Sequence, residues 1–95
     1  MNSYAKGARL ERKALHALEA EGYVCTRSAG SHGVWDITAV RGVEPVLLIQ
    51  VKANLSEAAA MKVLKMMRKR FHQWAPIEVQ VWTYLDGYEE PYIYP

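Results

Sequence analysis

Apolar positions near the start of the chain recur at helical spacing. Leu10, Ala14, Ala17 and Leu18 fall at i, i+4, i+7 and i+8, which predicts a helix over residues 3–21 with Gly22 as its stop. The period then shortens to two. Residues 22–27 read as a first strand, residues 28–33 as a loop of small residues, and residues 34–40 and 46–53 as two strands joined by a turn at 41–45. Helical spacing returns with Leu64, Met67, Phe71 and Trp74, and Asn54 with Glu57 three positions on resembles a capping box for that helix. Pro76 ends it. Residues 77–84 alternate as a strand, Asp86-Gly87 signals a turn, and the tyrosine-rich residues 88–95 fit a short edge strand. The order is α-β-β-β-α-β-(β), an α/β chain with a mixed central sheet and a helix on each side.

Composition narrows the class. Ninety-five residues, 51% of them hydrophobic, make one domain over 1–95 with a single core and no second one. There is no internal repeat, linker or low-complexity segment. Neither an apolar run long enough to span a membrane nor a signal-peptide pattern is present, so a cytoplasmic protein without a membrane role is expected. The single cysteine, Cys25, fits a reducing compartment and reads as a small core residue. His16, His32 and His72 are too widely spaced to indicate zinc. Met61, Met66 and Met67 read as core or interface fillers.

The polar residues inside the apolar strands carry the candidate chemistry. A period of two puts Leu47, Ile49 and Val51 on one face and Leu48, Gln50 and Lys52 on the other; it also puts Asp36 and Thr38 opposite Trp35, Ile37 and Ala39. If the two strands pair, cross-strand side chains sit about 5 Å apart at Cβ, so Asp36 is expected beside Gln50 and Lys52 on one shared face. Asp36 offers a hard anionic oxygen suited to Mg²⁺ or Mn²⁺, the Gln50 amide a neutral oxygen of the same hardness, and Lys52 an amine that can serve a water and stabilise charge on a phosphate. The plainer reading is a half-exposed hairpin whose polar face carries these three residues incidentally. Glu11 is a further anomaly, because its helical neighbours Ala14, Leu15 and Leu18 set it along the edge of the apolar stripe, where a carboxylate needs a partner or a metal. A local pair with Arg12 or Lys13 is the alternative.

Charge is distributed unevenly although the net value is only +2. Lys62, Lys65, Arg68, Lys69 and Arg70 place five positive charges within nine residues, and Lys6, Arg9, Arg12 and Lys13 make the first helix basic. Such density favours phosphate contact over a merely solvated face. The loop before Asp36 carries two glycines and two hydroxyls, which allow close approach to a phosphate, and His32 within it is either a phosphate contact or a solvated loop histidine.

With these elements placed, the chain resembles the PD-(D/E)XK nuclease superfamily and, within it, the small archaeal-type Holliday junction resolvases. The matching residues are Gly7-Ala8-Arg9-Leu10-Glu11, Gly22-Tyr23, Arg27-Ser28-Ala29-Gly30-Ser31, Trp35-Asp36-Ile37 and Leu48-Ile49-Gln50-Val51-Lys52, in that family's order over roughly the first 55 residues. The resemblance implies a restriction-endonuclease-like fold and a homodimeric, Mg²⁺-dependent endonuclease (with Mn²⁺ as a second candidate ion) that makes paired nicks in four-way DNA junctions. It makes Glu11 the helix carboxylate near the metal, Asp36 the principal ligand, Gln50 the second side-chain ligand and Lys52 the catalytic amine, with Val51 included in the metal set. Ser31 matches the loop serine that touches the scissile phosphate and is counted with the catalytic residues. Arg27, Ser31 and His32, together with Lys6, Arg9, Lys62, Lys65 and Lys69, are the candidate DNA contacts.

Two departures from the family pattern stand out. Trp35 replaces the proline that names the motif, and Gln50 stands where a glutamate is usual, removing one negative charge from the metal site. The sequence reading is a junction-resolving endonuclease that works by in-line hydrolysis. Its alternatives are a related nuclease acting on duplex, flap or restriction targets, a DNA-binding module of the same fold without cleavage, and a small structural protein. The aromatic tail is a candidate dimer interface, with base stacking and core packing as the alternatives.

Overall fold

The computed structural model describes residues 3–28, 34–70 and 76–95, apart from the side chains of Ser3 and Tyr4. A helix, α1 (Ser3–Ala20), precedes three strands, β1 (Val24–Arg27), β2 (Ile37–Val40) and β3 (Val46–Ala53). A second helix, α2 (Glu57–Arg68), leads to β4 (Ile77–Tyr84) and the short β5 (Tyr92–Tyr94). The strands form one sheet in chain order, antiparallel except for β3 and β4, which run parallel. A parallel pair needs a crossover, and α2 provides it. The mixed sheet with a helix on each side is the architecture expected from the patterning.

Alternation along β3 divides the core between the two helices. Leu47, Ile49 and Val51 pack with Leu10, Ala14 and Leu18 of α1, whereas Leu48 packs with Ala60, Leu64 and Met67 of α2 and with Val79 and Val81 of β4. Ile49, Leu64 and Met67 have no exposed surface, and burying each such side chain is worth about 1.5–3 kcal/mol. The α1 stripe is narrower than expected, since Ala17 is exposed and Leu15 packs at its edge instead.

The end of α1 follows from one glycine. Gly22 adopts φ +91°, its N–H donates to the Glu19 carbonyl, and the Tyr23 N–H reaches back to Leu18, the paired bonds of a Schellman motif. The guanidinium of Arg41, in the β2–β3 turn, stacks 4.3 Å from the Tyr23 ring centroid and donates to the Glu21 carbonyl, tying that turn to the helix end.

The expected cap of α2 shifts by two residues. Ser56, not Asn54, is the N-cap, its hydroxyl accepting from the Ala59 N–H at 3.2 Å. Asn54 is committed elsewhere: it takes a left-handed φ of 52°, donates its N–H to the Tyr84 carbonyl and accepts from the Asp86 N–H through Oδ1. The next N–H, of Leu55, donates to the hydroxyl of the buried Thr83 at 2.8 Å. These bonds fasten the end of β3, which carries Lys52, to the end of β4. Helix α2 closes at Arg68 with Lys69 as its C-cap, and the expected Phe71 and Trp74 positions lie outside the described residues. Of the three methionines only Met67 is core; Met61 and Met66 are exposed.

Candidate active site

Asp36 sits just before β2, where the strand pairing is irregular. Its N–H donates to the Ile49 carbonyl at 2.8 Å, although Ile49 is already the register partner of Ile37. Two residues of one strand therefore oppose one residue of the next, which is a β-bulge. Its carbonyl accepts from the Ser28 N–H on the other side, so the backbone here is held by both neighbouring strands. The bulge corrects the simple alternation expected for this stretch. Trp35, not Asp36, shares a face with Thr38: its indole Nε1 donates to Thr38 Oγ1 at 2.9 Å, and its ring packs against the α2 cluster. Side chains three apart cannot meet on a regular strand, and the bulge re-aims them.

The Asp36 carboxylate is fixed through one oxygen. Oδ2 accepts from the backbone N–H of Val51 at 2.7 Å, and Oδ1 takes no hydrogen bond from the described residues. Burial pushes the carboxyl pKa upward, the Val51 hydrogen bond opposes that rise, the negative charge of Glu11 reinforces it, and Lys52 and Arg27 counter it. The same balance shows which charges lie within reach of Asp36. Glu11, Lys52 and Arg27 all do.

Glu11 comes from the middle of α1 and is half-buried, as its place beside the apolar stripe required. Its partner is neither Arg12 nor Lys13. Arg27, sixteen residues away at the end of β1, donates from Nε to Glu11 Oε1 at 2.9 Å, with the two side chains 34% and 20% exposed. That pairing was invisible to a local reading, because it depends on β1 lying beneath α1. The only signal for it was an arginine ending a strand just before the polar loop.

Gln50 and Lys52 alternate with Val51 on β3 and face the α2 side, as expected from the period. Lys52 is exposed, and the half-buried Gln50 amide has no hydrogen-bond partner among the described residues. The bulge removes the simple alternation from which a shared face for Asp36, Gln50 and Lys52 was expected, while Lys52 still acts electrostatically on Asp36. Ser31 and His32 lie outside the described residues.

The other basic candidates fall into two groups. Lys6 and Arg9 belong to α1, and Lys6 pairs with Asp86 at 3.3 Å. Lys62, Lys65 and Lys69 are exposed on or just after α2, on the opposite face of the sheet. Cys25 is half-buried against the α1 core; burial and the neighbouring Glu19 push its thiol pKa up, so it is poorly suited to act as a nucleophile.

The donor chemistry fits a hard divalent cation with a sparse protein shell. Among the described residues no three His, Cys, Asp or Glu side chains cluster as a metal cage. The available set is the Asp36 carboxylate with one oxygen uncommitted, the Gln50 amide oxygen, and a second carboxylate on Glu11 now engaged by Arg27. Mg²⁺ commonly binds through one or two carboxylates and keeps several waters, so the chemistry of these donors is of the kind such an ion takes.

Comparison with known proteins agrees with this arrangement. The family model of the archaeal Holliday junction resolvase (Hjc) matches residues 2–77. The solved structure of Hjc from Archaeoglobus fulgidus, a Holliday junction resolvase from an archaeal hyperthermophile, is similar at 28% identity and a TM-score of 0.67, covering 95% of this chain and 72% of that one. No curated protein sequence matches. No helix among the described residues is long and apolar enough to cross a membrane. Helix and bulged hairpin thus occur on a chain matched by that family model over most of its length, and the protein belongs to the archaeal Holliday junction resolvase family.

Proposed function

We propose that this family member is a divalent-metal-dependent endonuclease that makes paired nicks in four-way DNA junctions, with Asp36 at its centre. The observation that carries the reading is the Asp36 carboxylate, pinned through Oδ2 by the Val51 N–H and electrostatically coupled to both Glu11 and Lys52. A carboxylate held this way presents its second oxygen without losing side-chain freedom on binding. In the proposed mechanism Asp36, Gln50 and Glu11 would hold the ion, together with Val51. When bound there, Mg²⁺ or Mn²⁺ would supply Lewis-acid chemistry and activate water. The exposed Lys52 ammonium donates from Nζ toward the phosphate and stabilises the charge that builds as the phosphodiester opens. Ser31 keeps its proposed contact to the scissile phosphate, and His32 its contact in the same loop.

Lys6 and Arg9 on one face and Lys62, Lys65 and Lys69 on the other give the chain two basic surfaces. A branched substrate with several arms can engage both. Two copies of the chain are needed to nick two strands, so we assign it as a homodimer, with the exposed Tyr92 and Ile93 of the edge strand β5 as candidate interface residues. Its work on DNA is placed in the cytoplasm. Gln50 in place of a glutamate favours one second reading, a binding module of the same fold without cleavage.

The test is incubation of a labelled four-way junction beside a linear duplex of the same sequence, with Mg²⁺ and with EDTA. Paired, metal-dependent nicks in the junction alone support the proposal. Tight junction binding without nicks in Mg²⁺ or Mn²⁺ supports the binding module, and loss of preference for the junction removes structure-selective cleavage.

A further inference from the structure

Arg27 is the residue whose position the proposed mechanism does not use. It was a candidate DNA contact, yet its guanidinium is turned inward onto Glu11 at 2.9 Å and is two-thirds covered. Glu11 in turn stands within electrostatic reach of Asp36, so two partly buried carboxylates share one region of low solvent access. Two such charges without compensation are costly in a folded protein. Arg27 is the cation that α1 and β1 bring to them.

We infer that Arg27 is the site's own counter-ion, a positioning residue that holds Glu11 and neutralises the carboxylate pair until a divalent cation takes its place. The inference rests on the proposed metal-binding role of Asp36 and Glu11 and goes beyond it by assigning Arg27 an action opposed to the metal. Guanidinium and divalent cation compete for the same Glu11 oxygens. Arg27 therefore supports the metal-free fold while weakening cation binding. Removing its charge has two linked effects: cations bind more tightly, and the metal-free protein loses stability. A residue that merely contacted DNA would produce neither effect, and one that only aligned Glu11 for the metal would weaken cation binding when lost.

The experiment is Mn²⁺ binding without DNA, read by the free-ion electron paramagnetic resonance signal, on wild type, Arg27→Gln, Arg27→Lys and Asp36→Asn. Thermal unfolding in EDTA and in Mn²⁺ accompanies it. Arg27→Gln is expected to bind Mn²⁺ about five- to tenfold more tightly than wild type, the effect of one unit charge several ångströms away in a partly solvated medium. Its midpoint temperature should fall in EDTA and rise further than that of wild type when Mn²⁺ is added. Arg27→Lys, which keeps the charge, should stay near wild type. Should Arg27→Gln unfold the metal-free chain, Mn²⁺ is expected to restore its far-ultraviolet circular dichroism. Equal or weaker Mn²⁺ binding by Arg27→Gln, or no recovery of an unfolded variant, overturns the counter-ion role while the metal site stands. If wild type binds no Mn²⁺, or Asp36→Asn binds it equally well, the metal site itself fails and the inference falls with it.

Discussion

The bond between the Leu55 N–H and the Thr83 hydroxyl gives a prediction whose size follows from the structure. Thr83 is 1% exposed and is the β4 register partner of Lys52, so its hydroxyl braces the connection immediately after β3. Thr83→Val keeps the shape of the side chain and removes the acceptor for the Leu55 N–H. An unsatisfied buried donor costs about 1–3 kcal/mol, and because Leu55 is only half-buried the lower part of that range, about 1–2 kcal/mol, applies. For a chain of 95 residues, each 1 kcal/mol corresponds to about 4–8 °C in Tm, so a fall of about 5–15 °C is expected. Urea unfolding gives the free energy, and amide hydrogen exchange locates it. The Leu55 amide should lose protection beyond the global change. A variant within about 0.3 kcal/mol of wild type, smaller than the usual effect of losing such a bond, with Leu55 protection intact, would refute the reasoning.

Other consequences follow from the same geometry. Leu64→Ala deletes a fully buried contact between α2 and the sheet and should cost about 2–5 kcal/mol in urea unfolding, a large part of the stability of a small domain. The Asp36 carboxyl titrates above its unfolded value in the metal-free fold, so its contribution to stability is present below the unfolded pKa and is lost as pH rises through the folded one. Asp36→Asn should therefore unfold at an equal or higher temperature than wild type at neutral pH in EDTA; a clear fall would contradict the burial account. Because a metal ligand must be deprotonated, Mn²⁺ affinity of the wild type should increase with pH through the same window, and a flat profile in calorimetric titrations would count against Asp36 as a ligand. Gln50→Glu restores a negative charge to the site and should tighten Mn²⁺ binding; unchanged affinity would remove Gln50 from the shell.

The sequence carried the element order, the Leu10-Ala14-Leu18 line of α1, the Leu64-Met67 line of α2 and the division of β3 into two apolar faces, because each rests on a period that survives without tertiary knowledge. It also marked Glu11 as misplaced beside an apolar stripe. What it could not carry were features made by contact between distant segments. The bulge at Asp36 exists only when β2 meets Ile49 of β3, so alternation alone put Asp36 on the face that Trp35 takes. Asn54 has the chemistry of a helix cap, and only the approach of Asp86 and Tyr84 shows that it closes β3 instead. The Arg27–Glu11 pair forms only when β1 lies under α1, so no local pattern announced it. In each case the packing supplied a partner that the local sequence does not show.

The most direct test of the account is to measure junction binding and junction cleavage separately for Asp36→Asn. The proposed mechanism requires the carboxylate for the ion and leaves the basic surfaces of both helices intact. Cleavage of the four-way junction in Mg²⁺ should be abolished, with binding affinity in EDTA within about twofold of wild type, since phosphate contacts dominate that affinity. Persistent cleavage by Asp36→Asn would show that the chemistry lies elsewhere on the chain.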